Sequence, residues 1–299
     1  TDMHLDPSKP RRLAEAEKTF ARLDRILATE RPDLVVFTGD VVTGAPAEGM
    51  WRRLLDTMTA RRVPFCVVLG NHDSEQDLSR QQIGRIVTSC PGSLNTLDAA
   101  GELADRELEI LGSGSRRPVW LLYCLDSHSE SLLEGIDGYD WFRPEQVAWL
   151  RDRCTARRTA NGGRAVPSLA FFHIVLPEYL SAWRNPSNSH IGRAAEAECP
   201  GALNTGMFAA MIESGSVMGT FVGHDHDIDY LVADKGVCLG YGRFSGDNTT
   251  YNNLRPGVRL LLLTEGERGF ETWILEEDGR RADHAGFEEG KRMEIAVER

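Results

Sequence analysis

Apolar residues keep helical spacing in some stretches and run unbroken in others, and that contrast divides the chain into elements. Over residues 11–30, Leu13, Phe20, Leu23, Ile26 and Leu27 fall on one helical face, and Pro32 marks the stop. Leu34-Val35-Val36-Phe37-Thr38 is then apolar without alternation, as a strand covered on both faces requires. Met50, Trp51, Leu54, Leu55 and Met58 repeat the helical pattern, and Phe65-Cys66-Val67-Val68-Leu69 repeats the buried strand. This alternation predicts β-α-β units and a parallel sheet. A helix is expected over 74–89 with Ser74 as its cap, and strands over 107–111 and 119–125 as a hairpin opening a second sheet. Pro144 suits the first position of a helix carrying Val147 and Leu150. Further on come a strand at 168–172, a short helix over 177–183, a helix capped by Asn204 and a strand at 217–222. Antiparallel strands are expected at 229–233, 237–241, 259–264 and 270–275.

With no repeat and no flexible linker, residues 1–275 read as a single domain, and the highly charged residues 276–299 as a loosely attached tail. A strand is expected just before Asp2, so the natural start, with any targeting segment, is expected upstream of the given sequence. No stretch reaches the length of a membrane-spanning helix; the apolar run at 258–263 is strand-sized.

Composition adds limits rather than identity. The 299 residues are 41% hydrophobic and 26% charged, ordinary for a soluble globular enzyme. A net charge of −11 and the lack of a basic stripe disfavour stable nucleic-acid binding. The six cysteines contain no CxxC pair: Cys66 and Cys124 read as small core residues, while Cys90, Cys154, Cys199 and Cys238 are free to pair. One glycosylation-type triplet, Asn248-Thr249-Thr250, occurs. The compartment stays open between cytoplasmic and secreted or periplasmic, and nothing sets the oligomeric state.

The chemistry lies at the strand ends. Asp2-Met3-His4, Gly39-Asp40, Gly70-Asn71-His72-Asp73, His173 and Gly223-His224-Asp225-His226 each fall where a buried strand stops or is expected to stop. Side chains at neighbouring strand ends converge on one edge of a parallel sheet, where open α/β folds bind ligands. Carboxylate, amide and imidazole without thiolate suit iron, manganese or zinc in a hydrolytic centre. Each motif is weak alone: a Gly-Asp after a strand is often only a turn. The joint order carries the signal.

That order resembles the calcineurin-like metallophosphoesterase superfamily, whose pattern runs D-x-H, G-D, G-N-H-D/E, H, G-H-x-H; the likeness spans Asp2 to His226. Phe171-Phe172-His173-Ile174, Leu176-Pro177-Glu178-Tyr179 and Tyr241-Gly242-Arg243-Phe244 are similar to purple-acid-phosphatase-29-type phosphatases. The resemblance implies a four-layer αββα sandwich of two mixed β-sheets flanked by helices. It also implies that Asp2, His4 and His226 hold one metal, that Asn71, His173 and His224 hold another, and that Asp40 bridges them. Such pairs stand roughly 3.5–4 Å apart and share a hydroxide that attacks phosphorus. His72 would contact the phosphate and protonate the departing alkoxide, and Asn71 would share that substrate side.

One departure stands out. Purple acid phosphatases carry an iron-binding tyrosine three residues after the Gly-Asp aspartate, and the protein Ser/Thr phosphatases an aspartate that orients the histidine; this chain has Thr43. Asp73 is the expected substitute partner for His72. Arg243 is expected either to meet the phosphate or leaving group or to form a surface salt bridge, and Asp225 and Asp227 to bond backbone amides or orient the histidines. The function expected is hydrolysis of small phosphate monoesters with two metal ions. Hydrolysis of cyclic nucleotides or small diesters on the same metal core is the alternative, and a non-catalytic scaffold of the same fold the third reading.

Overall fold

The computed structural model describes residues 1–250, 253–289 and 293–295. In chain order the elements are α1 (Pro10–Glu30), β1 (Val35–Thr38), α2 (Ala47–Arg61), β2 (Phe65–Val68), α3 (Arg80–Ser89), β3 (Arg106–Leu111), β4 (Pro118–Cys124), α4 (Pro144–Ala160), β5 (Ser168–Phe171) and α5 (Glu178–Arg184). There follow β6 (Ser189–Ile191), α6 (Met207–Ser214), β7 (Val217–Val222), β8 (Leu231–Asp234), β9 (Val237–Tyr241), β10 (Gly257–Leu263), β11 (Gly269–Glu276), β12 (Arg281–Glu288) and β13 (Glu294–Ile295).

Seven strands form one mixed sheet in the order β3-β4-β5-β7-β9-β8-β6. Its centre, β4-β5-β7-β9, is parallel, and the hairpin strand β3 and the β8–β6 edge run antiparallel. Such a centre needs cover on both faces. On one face α4, α5 and α6 bury Leu150, Tyr179, Phe208 and Met211 against Leu121, Ala170 and Val222. On the other, Leu122, Phe171 and Phe221 meet Cys66 and Val68 of β2 and Phe270 and Phe287 of β11 and β12. The parallel β1–β2 pair is covered in turn by α1, α2 and α3 through Phe20, Leu23, Trp51, Leu54, Ile83 and Val87. The four layers are those expected, although the second comprises a parallel pair and an antiparallel sheet, β10-β11-β12-β13.

The start of the chain joins these two pieces. Asp2 N–H donates to Gly39 O (3.0 Å) and Leu5 N–H to Val41 O (2.9 Å), while Ser245 N–H donates to Thr1 O (2.9 Å) and Gly246 N–H to Asp2 O (3.1 Å). The segment carrying Asp2 and His4 is thereby held between the end of β1 and the approach to β10.

Three expectations are corrected. The helix expected at 74–89 starts at Arg80, capped by Ser79 in a capping box with Gln82. The six residues before it stay in a loop, because the Asp73 side chain ties the chain to β1's end. The helix expected after Asn204 starts at Met207; the Asn204 side chain accepts the Gly206 N–H (2.9 Å) instead. The charged end is no loose tail where it is described. Strand β12 pairs along β11 and buries Ala285 and Phe287, with the Phe287 ring stacked 5.5 Å from Phe270. All six cysteines are free thiols. Among the described residues, no helix is long and apolar enough to cross a membrane.

Phe287→Ala is expected to lower the unfolding free energy by about 3 kcal/mol, as a core phenylalanine does. A urea titration checks this, and an unchanged midpoint would return β12 to the status of a tail.

Candidate metal centre

The strand ends meet at one buried point. Asp2, His4, Asp40 and His226 form one group whose ligand atoms all lie within 4.8 Å of one another, and Asp40, His173 and His224 form a second. Asp40 belongs to both. Its Oδ2 lies 3.3 Å from His173 Nε2 and 3.7 Å from His4 Nε2, and its Oδ1 accepts the His72 N–H at 2.9 Å. On the far side of His4, Asp2 Oδ1 lies 3.7 Å from His226 Nε2. Asn71 Oδ1 is 3.1 Å from His173 Nε2, which brings the amide into the second group.

Glycine precedes three of these motifs for a steric reason. A Cβ on Gly39 would stand 2.3 Å from His173 Nδ1, one on Gly70 2.2 Å from Asp40 Oδ1, and one on Gly223 2.6 Å from Asp2 Oδ2. No such contact is tolerable, so the ligand side chains pack directly against bare backbone. Four of the candidate ligands are bent: Asp2 (φ 49°), His4 (φ 43°), Asp40 (φ 50°) and His224 (φ 79°) adopt left-handed conformations. Each costs on the order of 1 kcal/mol and persists only where surroundings enforce it.

The enforcing contacts come from the next layer. Asp73 is fully buried, and its carboxylate accepts four backbone N–H groups: Asp40 (3.0 Å), Val41 (2.8 Å), Val42 (3.0 Å) and Gly70 (2.8 Å). Burial, with the charge of Asp40, pushes its carboxyl up to about 6, so it is still ionised at neutral pH. Asp2 accepts the His224 N–H through both oxygens at 3.2 Å. The Ser127 hydroxyl, just past β4, accepts the N–H of His173 (3.3 Å) and of Ile174 (2.9 Å). Asp225 accepts the Tyr241 hydroxyl (2.6 Å), and Asp227 accepts the N–H of Asn253 (2.8 Å) and of Leu254 (3.0 Å).

Protonation follows from these contacts. His173 Nδ1 faces the Thr38 carbonyl at 2.8 Å; a carbonyl only accepts, so Nδ1 carries the hydrogen and Nε2 faces the centre. Burial lowers His4 to about 4 and His224 to about 3, with nearby imidazoles adding to the effect, so both are neutral. Burial also disfavours charge on His173, but the adjacent Asp40 carboxylate outweighs it and raises the ring to about 9. A cation between them would take over that role. His4 Nε2, His224 Nε2 and Asn71 Nδ2 are buried without a partner among the described residues. Neutral imidazole nitrogens without a partner, aimed at shared carboxylates, are what cation binding requires.

Two assignments change. Asp73 does not touch His72; its carboxylate is spent on backbone amides. The partner of His72 is Glu75, whose Oε2 lies 2.6 Å from His72 Nδ1. Arg243 is 1% exposed and turned into the protein, where it pairs with Asp229 and donates to Arg255 O (2.7 Å). It is a buried structural cation, held by protein partners. His128, His190 and His284 lie apart, bonded to Gln146, the Trp183 carbonyl and Glu271. The Asn248 amide donates to His4 O (3.2 Å) and Arg12 O (3.0 Å), so it fastens the His4 segment.

Sequence reasoning missed Ser127, Glu75 and Tyr139. Ser127 follows the strand expected at 119–125, and that position was the available signal. Tyr139 lies in a long loop and sets its ring edge-on over His224, centroids 4.2 Å apart; no periodicity marks it.

The calcineurin-like phosphoesterase family matches residues 1–227. The chain is 33% identical over 240 residues to the "Probable inactive purple acid phosphatase 29" of Arabidopsis thaliana, covering 74% of this chain and 61% of that protein. It is 30% identical over 278 residues to "Phosphatase DCR2" of Saccharomyces cerevisiae, covering 86% of this chain and 47% of that one. The chain thus spans about half to three fifths of these curated relatives' length. A solved dimetal phosphatase from Danio rerio shares the fold, with a TM-score of 0.60 at 16% identity over 97% of this chain and 96% of that one.

Asp73→Asn, which keeps the shape but loses the charge and turns an acceptor into a donor, is expected to weaken metal affinity roughly 10–100-fold. Titration with a metallochromic competitor measures it; parental affinity would remove Asp73 from the supporting layer. Arg243→Ala, which leaves Asp229 buried and unpaired, is expected to cost about 3 kcal/mol of stability in denaturant. Metal content of the folded fraction should be unchanged.

Proposed function

The chain belongs to the calcineurin-like phosphoesterase family, and from that premise we propose that it hydrolyses small phosphate monoesters at a centre of two metal ions. The observation that carries this reading is the shared carboxylate: Asp40 lies in both ligand groups, as a bridge between two cations would. Asp2, His4 and His226 would hold one ion, and Asn71, His173 and His224 the other. The donor set has no thiolate and suits iron, manganese or zinc. When bound, such a pair supplies Lewis acidity for activating water and neutralising phosphoryl charge.

The protein's own groups do the rest. Thr38 holds the Nδ1 hydrogen of His173, and His4 and His224 stay neutral, so those two imidazoles need shed no proton before binding, while His173, raised by Asp40, would give up its Nε2 proton in exchange for the cation. His72 is not a ligand. Its backbone N–H is bonded to Asp40 while its side chain is 40% exposed, at the mouth of the centre. Burial lowers the pKa of this ring, but Asp40 and Glu75 outweigh it and raise it above the ordinary value. A protonated imidazole there can bond a phosphoryl oxygen and pass its proton to the departing alkoxide, help worth about 10²- to 10⁴-fold. Asn71, beside it, contributes to the same substrate side. With a net charge of −11, the protein has no general attraction for a polyanion.

The alternative is a phosphodiesterase on the same core. A non-catalytic role also has an observation behind it, since a relative carries the word "inactive" in its name. Against it stands the full set of ligand positions, together with His72 at the mouth.

Metal analysis paired with a panel of monoesters and diesters tests the proposal. Parent protein should bind two equivalents of metal and favour monoesters; Asp40→Ala should lose both metal and turnover. His72→Ala should keep its metal and lose turnover by about 10²-fold or more. A fully loaded parent with no turnover on any ester would establish the scaffold reading, and diester preference would establish the alternative.

A further inference from the structure

We propose that Glu75 is the positioning residue of His72, holding its imidazole in the single tautomer and rotamer that serves the departing group; this rests on the phosphatase reading above. His72 needs such a partner. It stands at the mouth, 40% exposed, where an unrestrained ring would sample several rotamers and both tautomers. The adjacent carboxylate, Asp73, is committed to four backbone amides. Thr43, three residues after Asp40, brings no carboxylate. Glu75 supplies one: its Oε2 lies 2.6 Å from His72 Nδ1, three residues along the same loop.

The loop makes this contact possible. Helix α3 does not begin until Arg80, so His72 and Glu75 are brought together by a turn, in which Glu75 N–H donates to His72 O (3.3 Å). A carboxylate can only accept from Nδ1, so that nitrogen carries the hydrogen. The other nitrogen, Nε2, makes no hydrogen bond among the described residues and is left for the substrate; in the protonated ring it carries the proton that passes to the departing alkoxide, and the ring returns to the Nδ1–H tautomer. The exposed pair contributes little to stability. Its effect is on the orientation of the ring, and hence on rate.

The test uses full-length, zinc-loaded protein with Glu75→Gln, Glu75→Ala and His72→Ala. Two-bond proton–nitrogen spectra, with the His72 signals assigned by their loss in His72→Ala, should show the Nδ1–H tautomer in the parent and a mixture in Glu75→Ala. Turnover should fall about tenfold or more in Glu75→Ala with an alkyl monoester, and less with p-nitrophenyl phosphate, whose leaving group needs no proton. KM, metal content and melting midpoint should not move. Glu75→Gln, which still accepts from Nδ1, should recover most of the loss, and Glu75→Ala should add nothing in the His72→Ala background. An unchanged tautomer in Glu75→Ala, or an equal loss whether or not His72 is present, overturns the assignment. If the parent hydrolyses no ester, the phosphatase reading falls and the kinetic role with it. A His72→Ala defect without a Glu75→Ala defect refutes only this inference.

Discussion

The buried carboxylate of Asp40 is the constraint on which the rest of the structure depends. An ionised group at 1% exposure persists only where partners replace the water it has lost. It draws one backbone N–H from the β2 loop and imidazoles from the chain start and from β5's end. Satisfying one charge therefore pulls three separate pieces of backbone to a single point. Gly39, Gly70 and Gly223 allow that approach, since their replacement would place carbon inside the very side chains being gathered.

Bent backbone at Asp2, His4, Asp40 and His224 is unfavourable locally and must be held by something stiffer. Asp73 is the stiffest of these supports, because four amides from two different strand ends close on one carboxylate. Ser127 performs the corresponding task for His173 with a single hydroxyl, and Asp2 for His224. The centre is thus built in two shells of opposite character. The inner one offers imidazole and carboxylate atoms with spare capacity, while the outer one leaves few of its oxygens unused.

How much of this was legible follows from which forces act locally. Runs of unbroken apolar residues predicted the buried strands, because a strand covered on both faces needs nothing but apolar side chains; their polar ends are the residues that the structure brings together. The antiparallel pairs at the end of the chain were legible from their turns. Asp73 was misread for want of tertiary information: an aspartate after histidine looks available until four amides from elsewhere claim it. The same tie kept residues 74–79 out of the helix that their composition allows. Arg243 looked exposed beside its glycine, and only the burial of Asp229 opposite reveals it as an internal cation. Strand β12 was hidden by its charge, since just two of its residues, Ala285 and Phe287, face the core. Tyr139 and Glu75 act through loops, where no period exists to read.

The bond from His224 N–H to the carboxylate of Asp2 links positions 222 residues apart. During synthesis, Asp2, His4, Asp40 and Asn71 emerge long before His224 and His226 exist, so one candidate ligand group stays incomplete until residue 224 is made and the other until residue 226 is. Cation capture is consequently a late event in the life of the polypeptide. The complete ion sites therefore join residues from the start of the chain to the segment that follows β7.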